Sequence, residues 1–283
     1  MTRQLFRRFL KCGSLTAAVA ALFATGVSTQ AQTIVLKTGQ QVETKGISRS
    51  GTKIMGKIDV GGSSGEAGYD ISAIARIQFP EPRGIKSAAE LLAQGQPEKA
   101  LAEVAPIIAY YAPMKDIPGA WWSNAAIIKV AALAALQRDA EAEPLAREIQ
   151  KNATDPEIAR AANLRIAAVL VQKQEYEKAA EICDRAIKES ARQDVLADAW
   201  VTKGHVLLAQ REWDAALLAY LHVPVFYEDE KLFMPPAILG SARAYRRLDD
   251  FERAKQSLNE LVTTFPKSAE ATLAQAELKK LPK

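Results

Sequence analysis

The hydrophobic pattern of this chain changes period once. From Thr33 to about Phe79 the period is two. In "TKIMGKIDV" Ile54, Gly56 and Ile58 fall on one face and Lys53 and Lys57 on the other, and in "IARIQF" Ile77 and Phe79 alternate with Arg76 and Gln78. Such alternation belongs to half-buried strands. The breaks "KTGQ", "SRSGT" and "VGGSSGEAG" supply turns in which glycine takes positive φ freely. Four short strands are predicted, enough for a small antiparallel sheet or barrel over residues 32–84. "FPEPRG" then breaks the strand pattern and marks a boundary. From Ile85 onward Ala, Leu, Glu, Lys and Arg dominate, and residues 85–283 read as helices.

Within the helical region one helix is written repeatedly. "QKQEYEKAAEICDRAIKES" from Gln172 is paraphrased by "AQREWDAALLAYLHV" from Ala209 and by "RRLDDFERAKQSLNELV" from Arg246. Aligning the alanine that follows each aromatic gives Ala100, Ala142, Ala179, Ala216 and Ala254, at intervals of 42, 37, 37 and 38 residues. A near-constant period of that size predicts a mainly α, helical-hairpin solenoid.

The residues around those alanines resemble tetratricopeptide repeats. Trp200, Gly204, Leu207, Trp213, Ala216 and Tyr220 stand at the offsets of that pattern, as do Ala242, Tyr245, Phe251, Ala254, Leu258 and Pro266. Ala167, Leu170, Tyr176, Ala179, Cys183 and Ala186 form a third unit. Two earlier units carry Pro97 and Asp139 where the aromatic belongs. The resemblance covers roughly Ser87 to Leu281. It implies about five repeats and a C-terminal capping helix, with small residues letting paired helices approach and neighbouring hairpins stacking to bury their apolar faces. Cys183 then has a packing role. The preceding β module is similar in size and pattern to an SH3-like or Sm-like fold.

The N-terminus alters the charge balance. "MTRQLFRRFLK" holds Arg3, Arg7, Arg8 and Lys11 without an acid, "CGSLTAAVAALFATGV" is a short apolar run, and Thr29 and Ala31 make a small-x-small exit. This is the layout of a signal peptide over residues 1–31, read by either the general secretory or the twin-arginine route. The expectation is an exported protein, periplasmic or secreted, with no transmembrane segment. Removing the four basic residues from the total of 37 Lys and Arg leaves 33 against 33 Asp and Glu. A neutral chain has no long-range field for phosphate backbones, so no nucleic-acid partner is expected. One cysteine, Cys183, remains, so no internal disulfide is possible.

Chemistry-bearing motifs dissolve on inspection. "GGSSG" from Gly61 has the spacing of a nucleophile elbow but leads into a strand instead of a helix. "GTKIMGKI" from Gly51 resembles a phosphate-binding loop, with Ile58 where a hydroxyl must meet the metal. His205 and His222 lack ligand partners at metal spacing. No catalytic residue, cofactor or metal is expected, and so no enzyme. In tetratricopeptide folds the first helix of each hairpin lines a concave groove. That resemblance assigns to the groove Asp198, Val201, His205 and Leu208, then Leu239, Arg243, Arg246 and Arg247, with Ala131, Ala134, Leu164, Ala168 and Val171 contributed earlier. Such a groove suits an extended protein or peptide partner with an acidic stretch or a free carboxylate; a solvated basic face is the other reading. Lys45, Arg49, Lys53 and Lys57 share parity and could offer a cationic strand face to envelope glycans. The function implied is a non-catalytic protein–protein interaction scaffold of the bacterial cell envelope. A peptidoglycan or anionic-glycan binding module is the alternative, and an enzyme of unrecognised type comes third.

Overall fold

A computed structural model describes residues 32–60 and 63–282. The expected signal peptide and the Gly61–Gly62 tip of the "GGSSG" run lie outside them. Strands β1 (Gln32–Leu36), β2 (Gln41–Ser50), β3 (Lys53–Val60), β4 (Ser63–Asp70) and β5 (Ile74–Gln78) form one antiparallel sheet in the order β4-β3-β2-β1-β5. Five strands replace the expected four. β4 begins inside the expected turn "VGGSSGEAG" and pairs with β3 along its length. It is an edge strand with mostly exposed side chains, so no apolar alternation marks it.

A bulge decides which side chains face the core. Lys45 pairs with Lys57, but the register slips at Gly46 (φ +76°), and Ile47 then pairs with Gly56 and Arg49 with Ile54. One extra residue reverses the alternation. Arg49 therefore lies on the face of the buried Ile54, away from Lys45, Lys53 and Lys57, and the four-cation strand face does not form. Arg49 instead donates to Asp116 at 2.6 Å and to the Pro113 carbonyl at 2.9 Å. Lys45 meets Asp59 at 2.7 Å, in an exposed pair of small energetic weight.

Eleven α-helices follow among the described residues: α1 (Arg83–Ala93), α2 (Pro97–Tyr111), α3 (Trp122–Ala135), α4 (Asp139–Asn152), α5 (Pro156–Gln172), α6 (Tyr176–Glu189), α7 (Gln193–Ala209), α8 (Trp213–Phe226), α9 (Met234–Arg247), α10 (Phe251–Thr264) and α11 (Ala269–Leu278). None is long and apolar enough to cross a membrane. The sheet docks on the segment joining α2 to α3. The Ile77 amide donates to the Pro118 carbonyl at 2.9 Å, and Gly119 lies so close that a Cβ there would sit 1.9 Å from the Ile77 oxygen. Phe79 meets Tyr111 edge to face at 5.0 Å. One apolar cluster consequently runs from Ile34, Ile54 and Ile77 into Val104, Trp122 and Val130.

The recurrent alanine marks a recurrent structure. Ala100, Ala142, Ala179, Ala216 and Ala254 are all buried, each three residues into an even-numbered helix that starts at Pro97, Asp139, Tyr176, Trp213 or Phe251. Two residues before each start stands a left-handed residue: Gly95, Gln137, Gln174, Arg211 and Asp249. The next amide always returns to the carbonyl five residues back, from Gln96 to Leu91, Arg138 to Leu133, Glu175 to Leu170, Glu212 to Leu207 and Asp250 to Tyr245, at 2.8–3.0 Å. This is one Schellman turn used five times.

Packing follows the same order. Every helix touches its neighbours in the chain, and each odd-numbered helix also touches the next odd one; even-numbered helices make no comparable contact with each other. The odd-numbered helices thus form one layer, here called inner, and the even-numbered helices the outer layer. The turn before α2 also reaches the turn before α11, for a Cβ at Gly95 would lie 2.3 Å from the Lys267 carbonyl.

Candidate functional site

The odd-helix face carries most of the expected groove. On α7, Asp198, Thr202 and His205 succeed one another at spacings of four and three and share a side. Asp198 is only 5 % exposed and accepts from the Arg165 guanidinium on α5; the Thr202 hydroxyl donates to the same oxygen at 3.4 Å. A carboxylate this buried needs such a partner, because an unpaired charge inside a protein costs several kcal/mol. Burial pulls Arg165 down to about 10, which leaves it cationic at neutral pH.

Two helices further on, Arg243 of α9 grips Glu277 of α11 with nitrogens at 2.8 and 2.9 Å, and Arg246 reaches the same carboxylate at 3.8 Å. Three arginines thus meet two carboxylates on this face. Between the two groups lies His205. Burial lowers its pKa to about 4, and Arg165 and Arg243 add to the shift, so the ring is neutral at pH 7. Its neighbour is Tyr220 of α8, edge to face at 5.5 Å.

Tyr220 comes from the outer layer and threads between two inner helices. A Cβ at Gly204 of α7 would lie 2.5 Å from its ring, and one at Gly240 of α9 would lie 2.4 Å from it. The ring is completely buried, and its hydroxyl has no hydrogen-bond partner among the described residues. Burial raises the phenol pKa, and the charge of Arg243 draws it part of the way back. A cavity of about 30 Å³ beside Arg165, also lined by Ala168 and Gln172, has room for one water.

Several expected lining residues are not on the surface. Val201, 4 % exposed, packs with Ala197, Val223 and Ala237, and Leu239, 3 % exposed, packs with Leu258, Leu261 and Ala271. Leu164 is fully buried and Asp198 is spent on Arg165. The cause is geometric. An inner helix is covered by its even neighbours and by odd helices on both sides, so only a narrow strip stays free. His205, Leu208, Arg243 and Arg246 are half-buried on the odd helices, as are Ala131, Ala134, Ala168 and Val171. Arg247 points elsewhere, with its guanidinium 5.4 Å from the centre of the Trp213 ring.

Arg165 and Glu277 were not singled out from sequence, and Tyr220 only as a repeat position. Arg165 had a visible sign, since it is a lone charge inside the apolar run "NLRIAAVLV". Cys183 is buried, and burial pushes its thiol up to about 12, which makes it a poor nucleophile. Trp122 packs in the core, while Trp121 is half-buried with an indole N–H that finds no partner among the described residues. Among the described residues no three His, Cys, Asp or Glu side chains are grouped as metal ligands. No protein-family model and no curated protein sequence matches the chain.

Proposed function

We propose that this chain is a non-catalytic scaffold of the bacterial cell envelope, built as a tetratricopeptide-like solenoid that holds a protein partner along the odd-helix face. The observation that carries the reading is the cation surplus there: Arg165, Arg243 and Arg246 against Asp198 and Glu277. Half-buried guanidiniums whose carboxylates are shared keep donors free for an incoming carboxylate. An acidic stretch or a chain terminus supplies one, in an extended segment that follows the curve. The five identical turns support the repeat assignment, and the basic, apolar, small-residue order of the N-terminus supports export. The small sheet, fused to the first helices through Pro118 and Asp116, acts as an end cap that covers their apolar faces.

The test is a photo-crosslinking amino acid in place of Leu208, used in cells and followed by identification of the captured molecule. Arg243→Gln with Arg246→Gln should cut capture about tenfold, the loss of one charge-assisted contact. Undiminished capture, with helical content intact by circular dichroism, refutes the groove.

A further inference from the structure

The outer layer has one helix unlike the others. The even-numbered helices α2, α4, α6 and α10 carry three, six, seven and four charged residues, whereas α8, "WDAALLAYLHVPVF", carries only Asp214. Its solvent side is apolar instead. Leu218 is 63 % exposed and Val225 and Phe226 are each 65 % exposed, with Leu232 of the following loop alongside. Leu218, His222 and Phe226 recur every four residues and make a stripe about 12 Å long. Single exposed apolar residues need no explanation, but an aligned stripe on an otherwise charged layer marks a contact surface.

The stripe runs beside α7, the helix that lies between α6 and α8 in the chain and packs on both. There Trp200 stacks on His222 at 3.7 Å, His222 leads on to Phe226 at 5.5 Å, and Lys203 crosses Trp200 to reach Asp184 of α6 at 2.5 Å. Both ends of the stripe are acidic. Glu212 and Asp214 stand at its start and Glu228, Asp229 and Glu230 at its end. Among the described residues those last three form no ion pair, and Lys231 turns its ammonium to the Glu228 carbonyl at 2.6 Å. Burial raises the Glu230 carboxyl and Asp194 and Asp229 add to the rise, while Arg192, paired with Asp194, offsets part of it.

We infer that the exposed stripe of α8 docks a short amphipathic helix of another protein, with apolar side chains at i, i+4 and i+8 on the stripe and lysines or arginines against Glu228–Glu230. Charge selects this occupant. A second copy of the chain, in either orientation along α8, would set acid against acid. Four exposed apolar side chains also fall far short of the 20–30 residues a side that a stable dimer uses. Anionic lipid headgroups meet the same repulsion. This surface is independent of the odd-helix face, and neither reading stands or falls with the other.

The experiment uses the mature chain and a fluorescent Leu/Lys peptide of about 18 residues patterned as an amphipathic helix, with a Leu/Glu peptide of the same pattern as control. Anisotropy should show binding of the Lys peptide alone. Phe226→Glu should weaken it about tenfold, the loss of one anchor. Glu228→Lys with Asp229→Lys should reverse the preference. Both changes are at exposed positions, and circular dichroism checks the fold. Equal binding of both peptides, or binding unchanged by Phe226→Glu, overturns the proposal. So does a concentration-dependent dimer in sedimentation, or binding to phosphatidylglycerol vesicles, that Phe226→Glu abolishes.

Discussion

Replacing Gly240 by alanine tests the packing on which the odd-helix face depends. The new Cβ would lie 2.4 Å from two ring atoms of Tyr220, where carbon atoms at rest stay about 3.5–4.0 Å apart. The ring has nowhere to go, because Gly204 backs its other face at a similar distance. Overpacking of this kind costs roughly 1–3 kcal/mol, and closure on both faces puts this site at the upper end. Alanine also favours the helix by about 1 kcal/mol over glycine. The net expectation is a loss of about 2 kcal/mol, read as a lower urea midpoint followed at the helical band. In a Tyr220→Leu background the collision is gone, and Gly240→Ala should stabilise by up to about 1 kcal/mol. The cycle then shows a coupling of about 3 kcal/mol. If Gly240→Ala is neutral or stabilising in the wild type and the coupling is near zero, Tyr220 does not pass between α7 and α9, and the stacking of these hairpins is misread.

Acid should weaken the fold through His205. Its pKa falls from an ordinary 6.5 to about 4 in the folded chain, so the unfolded chain takes up the proton first. The stabilisation is full above pH 6.5 and drains as pH drops toward 4, by at most about 3 kcal/mol. His205→Gln should flatten the urea midpoint between pH 7 and 4.5, and an unchanged slope counts against this account. Arg211 holds φ at +67° in the turn before α8. Arg211→Gly should relieve the left-handed strain and stabilise by roughly 0.5–1 kcal/mol, a rise of a few degrees in Tm; a fall refutes the turn assignment.

How much of this fold is legible in the sequence depends on what holds each element. β3 and β5 alternate because one face of each is buried, and alternation found them. β4 is held by hydrogen bonds to one neighbour and buries little, so its residues carry no pattern. Gly46 hides a bulge that spacing arguments cannot see, and it moves Arg49 from a cationic stripe to an internal tether on Asp116. The helical repeat is clearer than its aromatic positions suggest. Pro97 and Asp139 break the pattern yet start α2 and α4 in register with Tyr176, Trp213 and Phe251. A first helical position needs no amide hydrogen and favours negative charge, so proline and aspartate serve there as well as an aromatic. What must be conserved in shape is the buried alanine three residues on and the left-handed turn two residues before.

The odd-helix face shows where local periodicity stops and the repeat period takes over. A helical wheel gives one side of α7 or α9 but not which strip of it stays free, because that depends on the curvature of the whole array. Hence Val201 and Leu239, sound choices by spacing, are core. The repeat period does better with the charges. In a stacked array, equivalent positions of successive hairpins are spatial neighbours. Arg165 and Asp198 are 33 residues apart and Arg243 and Glu277 are 34, about one helical turn short of the 37–38-residue period. Opposite charges at that separation on successive odd helices are therefore neighbours once the period is known. Asp198 and Arg243, read from sequence as exposed recognition groups, each had a partner waiting at that distance. Once those pairs are matched, Arg246, 3.8 Å from a carboxylate that Arg243 already holds, is the cation left over on this face.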